Sequence, residues 1–532
     1  MSFISGQFFL FFLAACTVYF LVPKKVQWMV LLAANYIFYL CAGPSYVGYI
    51  LFTTLTTYLG GLLIDRIEGR YTAAFASRKG SLSAEEKKAW KRRHTRRKRW
   101  VLAAVLVANF GILVLMKYGS FFSESLNALL AAWGIGARLP SVQLLLPLGI
   151  SFYTFQATGY LIDVYRKKVR PQGNLAKYAL FVSFFPQVVQ GPISRFDQLG
   201  HQLTQPHAFD LERVQLGAQL MLWGFFKKLL IADRVAIIAN AIFAPEASYT
   251  GVYILVGAVA YTLQIYADFS GGMDIARGIA QILGIELTLN FQRPYFAKTV
   301  PEFWRRWHIT LGAWFRDYVF YPLSLSKFFT SVGKKGRKWL GNDVGKLLPV
   351  VIPQFIVFFL IGVWHGASWK YVIFGFYHGI LIVGGILLGP SLQRLAARCH
   401  IRTQCFSYRL FQVLRTFSIV VFGRLITRGG RFMDSVALIA SLAPLNNWGI
   451  LVNGDLLHLG LSAQEWGVLL LSVLVLFVVS FLQERGVAIR QTIARQNLWF
   501  RWAIYLGGLF AVLIFGVYGF GYNASDFIYR GF

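Results

Sequence analysis

Long apolar runs separated by short polar links dominate this chain. A membrane crossing needs roughly 20 apolar residues. Runs near that length fall at 3–22, 26–42, 46–64, 100–116, 141–163, 175–193, 213–243, 250–288, 346–363, 369–388, 407–427, 465–483 and 502–520. The run 250–288 is long enough for two crossings. The run 3–22 has no basic segment before it and no small-residue cleavage site, so it reads as a retained span. Together the runs predict an all-α, polytopic membrane protein. Polar stretches interrupt the middle of the chain: PLGISFYTFQ at 147–156, FFPQVVQGPISR at 184–195, YADFSGGMDIAR at 266–277 and NFQRPY at 290–295. Prolines and glycines there break helices. Broken backbone at membrane depth persists only where protein buries it or where it lines a wet cavity. The pattern therefore predicts re-entrant segments around a polar chamber or tunnel.

The links set the expected orientation. The link 64–99 contains SRKGSLSAEEKKAWKRRHTRRKR and is too basic to cross, so it is expected in the cytoplasm. Lys24 and Lys25 go inside by the same rule, and the uncharged CAGPSY at 41–46 goes outside. Three spans before the basic link put the N-terminus outside. Arg485, Arg490, Arg495 and Arg501 mark another inner link, so the last span exits outward and leaves 521–532 on the outer face.

Composition agrees: 56% of residues are hydrophobic and 14% charged, against about 25% charged in soluble domains. The net charge of +31 would suggest nucleic acid in a soluble protein. Here the basic residues collect in links between apolar runs, so the lipid bilayer is the expected partner and nucleic acid is not. Cys16, Cys41, Cys399 and Cys405 lack metal or redox spacing and read as packing residues. No internal repeat, heptad pattern or low-complexity linker interrupts the chain. It reads as one membrane domain, 1–400, followed by a C-terminal group of spans, 401–532.

The richest stretch is PEFWRRWHITLGAWFRDYVFYP at 301–322. As one helix it would put Trp304, His308, Leu311 and Phe315 on a single stripe. It would also align Arg305 with Arg316, about three turns on. The competing reading is an interfacial helix with snorkelling arginines. Ionisable groups at membrane depth are costly and usually functional, which favours an active-site wall. Its counterpart is IGVWHGASW at 361–369, where His365 sits in an apolar run. His94, His201, His207, His400 and His458 lie in polar links and read as solvated. A buried His365 would be neutral and could take a proton from a hydroxyl. On one continuous helix His378 would lie roughly 220° round from His365, so packing is an equal reading for it. Asp268 and Asp274 could bind a cation, but pairing with Arg277, Arg293 or Arg305 is the simpler expectation. Walker, HExxH, CxxC and G-x-S-x-G patterns are missing, and no metal is expected.

The run YADFSGGMDIARGIAQILGI, then NFQRPYFAKTVPEFWRRWHITLGAWFRDYVFYPLS and GVWHGASWKYVIFGFYHG, resembles the bacterial branch of the membrane-bound O-acyltransferase family. Within it the sequence looks most like the alginate- and peptidoglycan-O-acetylating membrane proteins. PLGISFYTFQATGYLIDVYR and FFPQVVQGPISRF fit the same family, and the likeness covers roughly 5–390. It implies a multi-helix fold with a central tunnel. It also implies that His365, in the W-H-G motif, is catalytic and that His308 fills the second family position. FIYRGF at 527–532 resembles the F-x-Y-x-x-F motif of acetyl-transferring members, with Arg530 where an aromatic often stands. The implied role of Tyr529 is transient acyl carrier. The expected activity is O-acetylation of an extracytoplasmic polysaccharide from cytoplasmic acetyl-CoA across the plasma membrane. A hydrolase-like extracytoplasmic transferase would complete it. D-alanyl transfer to teichoic acid, a polysaccharide or lipid-linked sugar transporter, and a docking scaffold stand as alternatives.

Overall fold

The computed structural model describes residues 2–78, 82–140, 146–244 and 246–518. Among these, nine helices are long and apolar enough to cross a membrane. The only strand-like pairing among them is one isolated bridge, Phe291 with Trp307. The chain forms two compact units. Among the described residues, one holds those up to Gly217 and Ile279–Thr288, and the other holds Ala218–Gly278 and those from Leu289 to 518.

The first unit contains α1 (Gly6–Leu21), α2 (Gln27–Ala42), α3 (Val47–Arg78), α4 (Ala84–Ala132), α5 (Ile150–Tyr165) and α6 (Leu175–Ser183). α1 has 16 residues, so it reaches about 24 Å, short of a straight crossing of about 30 Å. The basic link is itself helical. Ser83 and Glu86 form a capping box that starts α4, satisfying backbone N–H groups that a helix start leaves orphaned. His94 is buried there, contrary to the solvated reading. Its ring stacks on Tyr71 at 4.0 Å, and Nε2 lies 3.0 Å from Glu68. Lys98 and Lys167 reach the same carboxylate at 2.6 and 2.5 Å. One acid thus gathers three basic side chains.

The expected break at 184–195 is present and buried. Asn35 accepts from the Phe185 N–H at 2.9 Å. Gln187 donates to Gln156 at 2.8 Å and to the Pro192 carbonyl at 2.6 Å, and Gln156 donates to the Phe181 carbonyl at 2.7 Å. Buried amides therefore replace part of the helix ladder that Pro186 and Pro192 remove.

The second unit holds most of α7 (Leu211–Phe225) and α9 (Val252–Ile282), whose outer ends count with the first, together with α8 (Asp233–Ile242), α10 (Val300–Arg306) and α11 (Ile309–Phe315). They are followed by α12 (Lys327–His365), α13 (Trp369–Arg398), α14 (Phe406–Arg428), α15 (Phe432–Ser441), α16 (Ala463–Glu484) and α17 (Leu498–Phe515). The run 250–288 forms the single helix α9, not two. The polar stretch 266–277 does not break it. Its glycines serve packing: a Cβ on Gly271 would lie 2.8 Å from the Gly224 carbonyl, and one on Gly224 would lie 2.6 Å from the Gly271 carbonyl. Small residues let α7 and α9 cross this closely. α12 kinks at Gly341, whose φ of 80° and ψ of 165° lie outside the helix. Its far end packs on α13 through Gly362 and Gly375, where a Cβ would meet the Tyr371 or Phe358 carbonyl at 2.4 or 2.6 Å.

Candidate active site

His308 is held between two stretches of chain, 290–292 and 306–310. The bridge between Phe291 and Trp307 is extended by Gln292 N–H to the Arg306 carbonyl, 2.9 Å, and Ile309 N–H to the Asn290 carbonyl, 3.0 Å. His308 itself is left-handed, with φ 47° and ψ 51°. A non-glycine residue adopts that conformation at a cost of about 1–2 kcal/mol, so the surroundings must hold it. Asn290 does much of this. Its Oδ1 accepts from Thr310 N–H and Thr310 Oγ1, both at 2.9 Å. An asparagine from another segment thus supplies the cap that His308 does not give α11. The left-handed residue splits 301–322 into α10 and α11, so the single stripe of Trp304, His308, Leu311 and Phe315 does not form. Arg305 and Arg316 are exposed.

The Asn290 amide faces Nδ1 of His308 at 3.4 Å. With that nitrogen accepting, the ring proton sits on Nε2. His308 is fully enclosed, and burial pushes its pKa down to about 3. The imidazole is therefore neutral at physiological pH. Phe269 meets the ring edge-on at 4.9 Å and Trp364 at 5.7 Å.

His365 ends α12 and is buried. Trp364 packs on it at 5.1 Å, Phe374 edge-on at 6.0 Å, and Tyr371 nearly parallel at 6.4 Å. The two histidines singled out from sequence therefore share one neighbour, Trp364. Gly366 follows His365, where a Cβ would strike the Tyr371 ring at 2.4 Å. The chain leaves the helix there and restarts at Trp369, so His365 and His378 are not on one helix. His378 lies one turn beyond Phe374 and touches it at 4.6 Å. Its Nδ1 accepts from Trp304 Nε1 at 3.4 Å. That bond gives His378 a positioning role against α10.

Three charged residues escaped the sequence reading. Arg424 is buried with its guanidinium 4.7 Å from the Trp307 ring and 5.8 Å from Phe374, a cation–π arrangement. Lys227 and Lys228 are buried in a π-helical turn, Phe226–Ala232, between α7 and α8. Lys228 pairs with Asp268 at 2.6 Å and Asp233 at 2.9 Å. Lys227 pairs with Asp274 at 2.7 Å and reaches Ser270 at 3.0 Å. Of the arginines proposed for the aspartates, Arg277 does pair with Asp274, at 3.2 Å. Arg293 instead binds Glu484 at 2.7 Å. The signal was available: two lysines inside an apolar run demand carboxylate partners.

A cavity of about 870 Å³ adjoins this site. Lys227, Arg277, Arg293 and Arg490 line it, with Met273 and Asn290 at the side toward His308. Among the described residues no group of three His, Cys, Asp or Glu side chains could hold a metal ion. Tyr529 lies outside the described residues.

The membrane-bound O-acyltransferase family model matches residues 170–334. The probable alginate O-acetylase AlgI of Pseudomonas syringae pv. tomato is 32% identical over 84% of this chain and 76% of its own length. The peptidoglycan O-acetyltransferase of Helicobacter pylori is 30% identical over 69% of this chain and 68% of its own. The teichoic acid D-alanyltransferase of Bacillus subtilis is 31% identical over 44% of this chain and 58% of its own.

Proposed function

Because the chain belongs to the membrane-bound O-acyltransferase family and is a multi-pass membrane O-acyltransferase, we propose that it takes acetyl groups from cytoplasmic acetyl-CoA and passes them outward for polysaccharide O-acetylation. The observation that carries this reading is the pair of buried histidines on Trp364, with Asn290, which faces His308, also lining a cavity that holds Lys227, Arg277, Arg293 and Arg490. The cations suit the phosphates of the donor. The apolar remainder suits its pantetheine arm.

In this reading His365 is the general base. It removes the phenolic proton of Tyr529, whose oxygen attacks the thioester carbonyl. The carbon–oxygen bond forms, the carbon–sulfur bond breaks, and coenzyme A leaves as the thiolate, taking up the proton. His308, with its proton on Nε2, is suited to polarise that carbonyl. A positioned base of this kind contributes about 10²–10⁴-fold. A separate hydrolase-like protein outside the plasma membrane then moves the acetyl group from tyrosine to a sugar hydroxyl.

Membranes incubated with radiolabelled acetyl-CoA test the scheme. Label should appear on Tyr529, and H365A should abolish it while the protein stays folded in the membrane. A wild-type protein that acetylates polymer in cells yet carries no acetyl on Tyr529 removes the carrier step. Unchanged polymer acetylation by H365A removes the assigned base.

A further inference from the structure

A second cavity, of about 480 Å³, lies at the turn between α13 and α14. α13 has 30 residues, about 45 Å of helix against a hydrocarbon core of about 30 Å. Its apolar run ends near residue 388, and the last turns, with Arg394 and Arg398, and the turn that follows extend past it toward headgroup level. Lys298, Thr403, Gln404, Tyr408, Arg409 and Gln412 line the cavity, with Ala396, Ala397 and Ile401 as an apolar wall. No carboxylate lines it, and the chain has no Asp or Glu from 344 to 433.

Neighbours hold the Lys298 backbone and the Arg409 side chain. The Lys298 N–H donates to Glu302 at 2.9 Å, and the Lys298 carbonyl accepts from Arg415 at 3.0 Å. Arg409 donates to Gln404 at 2.9 Å. Glu302 is committed to Arg306 at 2.8 Å. Among the described residues no carboxylate lies within ion-pair distance of Lys298 or Arg409. α14, 23 residues long and starting after Cys405, adds the positive end of its dipole beside Gln404 and Tyr408. Two cations without counter-ions, several hydrogen-bonding side chains and one apolar wall fit a single kind of ligand. That ligand has an anionic phosphate and an oily body.

We propose that this cavity binds the phosphate of an anionic membrane lipid. The occupant would tie Lys298 to the α13–α14 turn. Thr299, the next residue, caps α10, which leads into His308. Lipid composition would thereby act on the loop that carries His308. The binding claim itself does not depend on the acetyl-transfer reading.

Purified protein in nanodiscs of phosphatidylcholine alone, or of phosphatidylcholine mixed with phosphatidylglycerol, provides the test. The wild type should melt at a higher temperature with phosphatidylglycerol and retain it in native mass spectra. K298Q/R409Q should lose both effects, K298R/R409K should restore them, and R495Q, on another basic link, should keep them. An equal phosphatidylglycerol effect in K298Q/R409Q overturns the proposal. So does an equal melting shift from inorganic phosphate in phosphatidylcholine discs, which would make the ligand a soluble phosphate.

Discussion

His308 and His365 rest against the same indole, 5.7 and 5.1 Å from the ring of Trp364. Neither ring can shift without disturbing that wall. W364F should keep much of the transfer rate, because a flat apolar surface remains. W364A should destabilise the protein by about 3–5 kcal/mol, as deletion of a large buried aromatic does. Thermal unfolding and acetyl transfer in membrane vesicles, read side by side, check both outcomes. Equal activity in W364A and the wild type would show that the shared wall does not align the histidines.

His365 and His378 should separate by phenotype. H365A should lose transfer by at least about 10²-fold while remaining folded. H378F leaves the Trp304 indole N–H without its acceptor, at a cost of about 1–3 kcal/mol. It should lower the melting temperature and leave transfer per folded molecule nearly intact. H378Q can offer a carbonyl in its place and should recover part of the loss. Loss of transfer in H378F at full stability would assign His378 a direct role instead.

The pH response of stability follows from His308. Burial holds its pKa at about 3, below the ordinary value of about 6.5. The unfolded chain therefore takes up the proton first. Its contribution is complete above about pH 6.5 and is lost as pH falls toward 3, at up to about 1.4 kcal/mol per pH unit. Melting temperature should fall with acidification over that window, and H308N should reduce the slope. An identical slope in H308N would mean that His308 is not the group responsible.

Glu484 clamps the backbone that shapes the site. It accepts from Arg293 at 2.7 Å and from Arg306 at 2.8 and 2.9 Å. Arg293 is left-handed, φ 47°, like His308. Both arginines flank the Phe291–Trp307 bridge. E484Q should cost about 1–3 kcal/mol and raise KM for the donor, since Arg293 also lines the larger cavity. E484D should restore part of both. An unchanged KM in a destabilised E484Q would confine Glu484 to stability.

The lysine pairs predict an asymmetry. D274N leaves Lys227 deprived of its main counter-charge and should destabilise by about 3–5 kcal/mol, whereas K227M/D274L, which removes both charges, should be far milder. Denaturation of the two variants in the same detergent decides it.

Much of this was legible in the residues. Apolar run length located nine long helices among the described residues, because lipid allows few other solutions; the runs at 3–22, 141–163, 175–193 and 213–243 gave shorter or interrupted helices instead. Pro186 and Pro192 announced the break at 184–195. The split at His308 was hidden, because nothing local to 301–322 favours a left-handed histidine. Asn290, from another segment, holds it there. The glycine pair in 266–277 looked like a breaker and proved to be a contact surface for Gly224. His94 looked solvated because its neighbours in sequence are basic. Its partners, Tyr71 and Glu68, come from a different helix.

The shortness of α1 has a bearing on the lipid around it. A 16-residue helix falls about 6 Å below the usual hydrocarbon thickness. Where it crosses the bilayer, lipids beside it must compress or tilt their chains, at a fraction of a kcal/mol per ångström. This one helix is thus better matched to membranes with shorter acyl chains. A thicker bilayer would work against it steadily, before any substrate arrives.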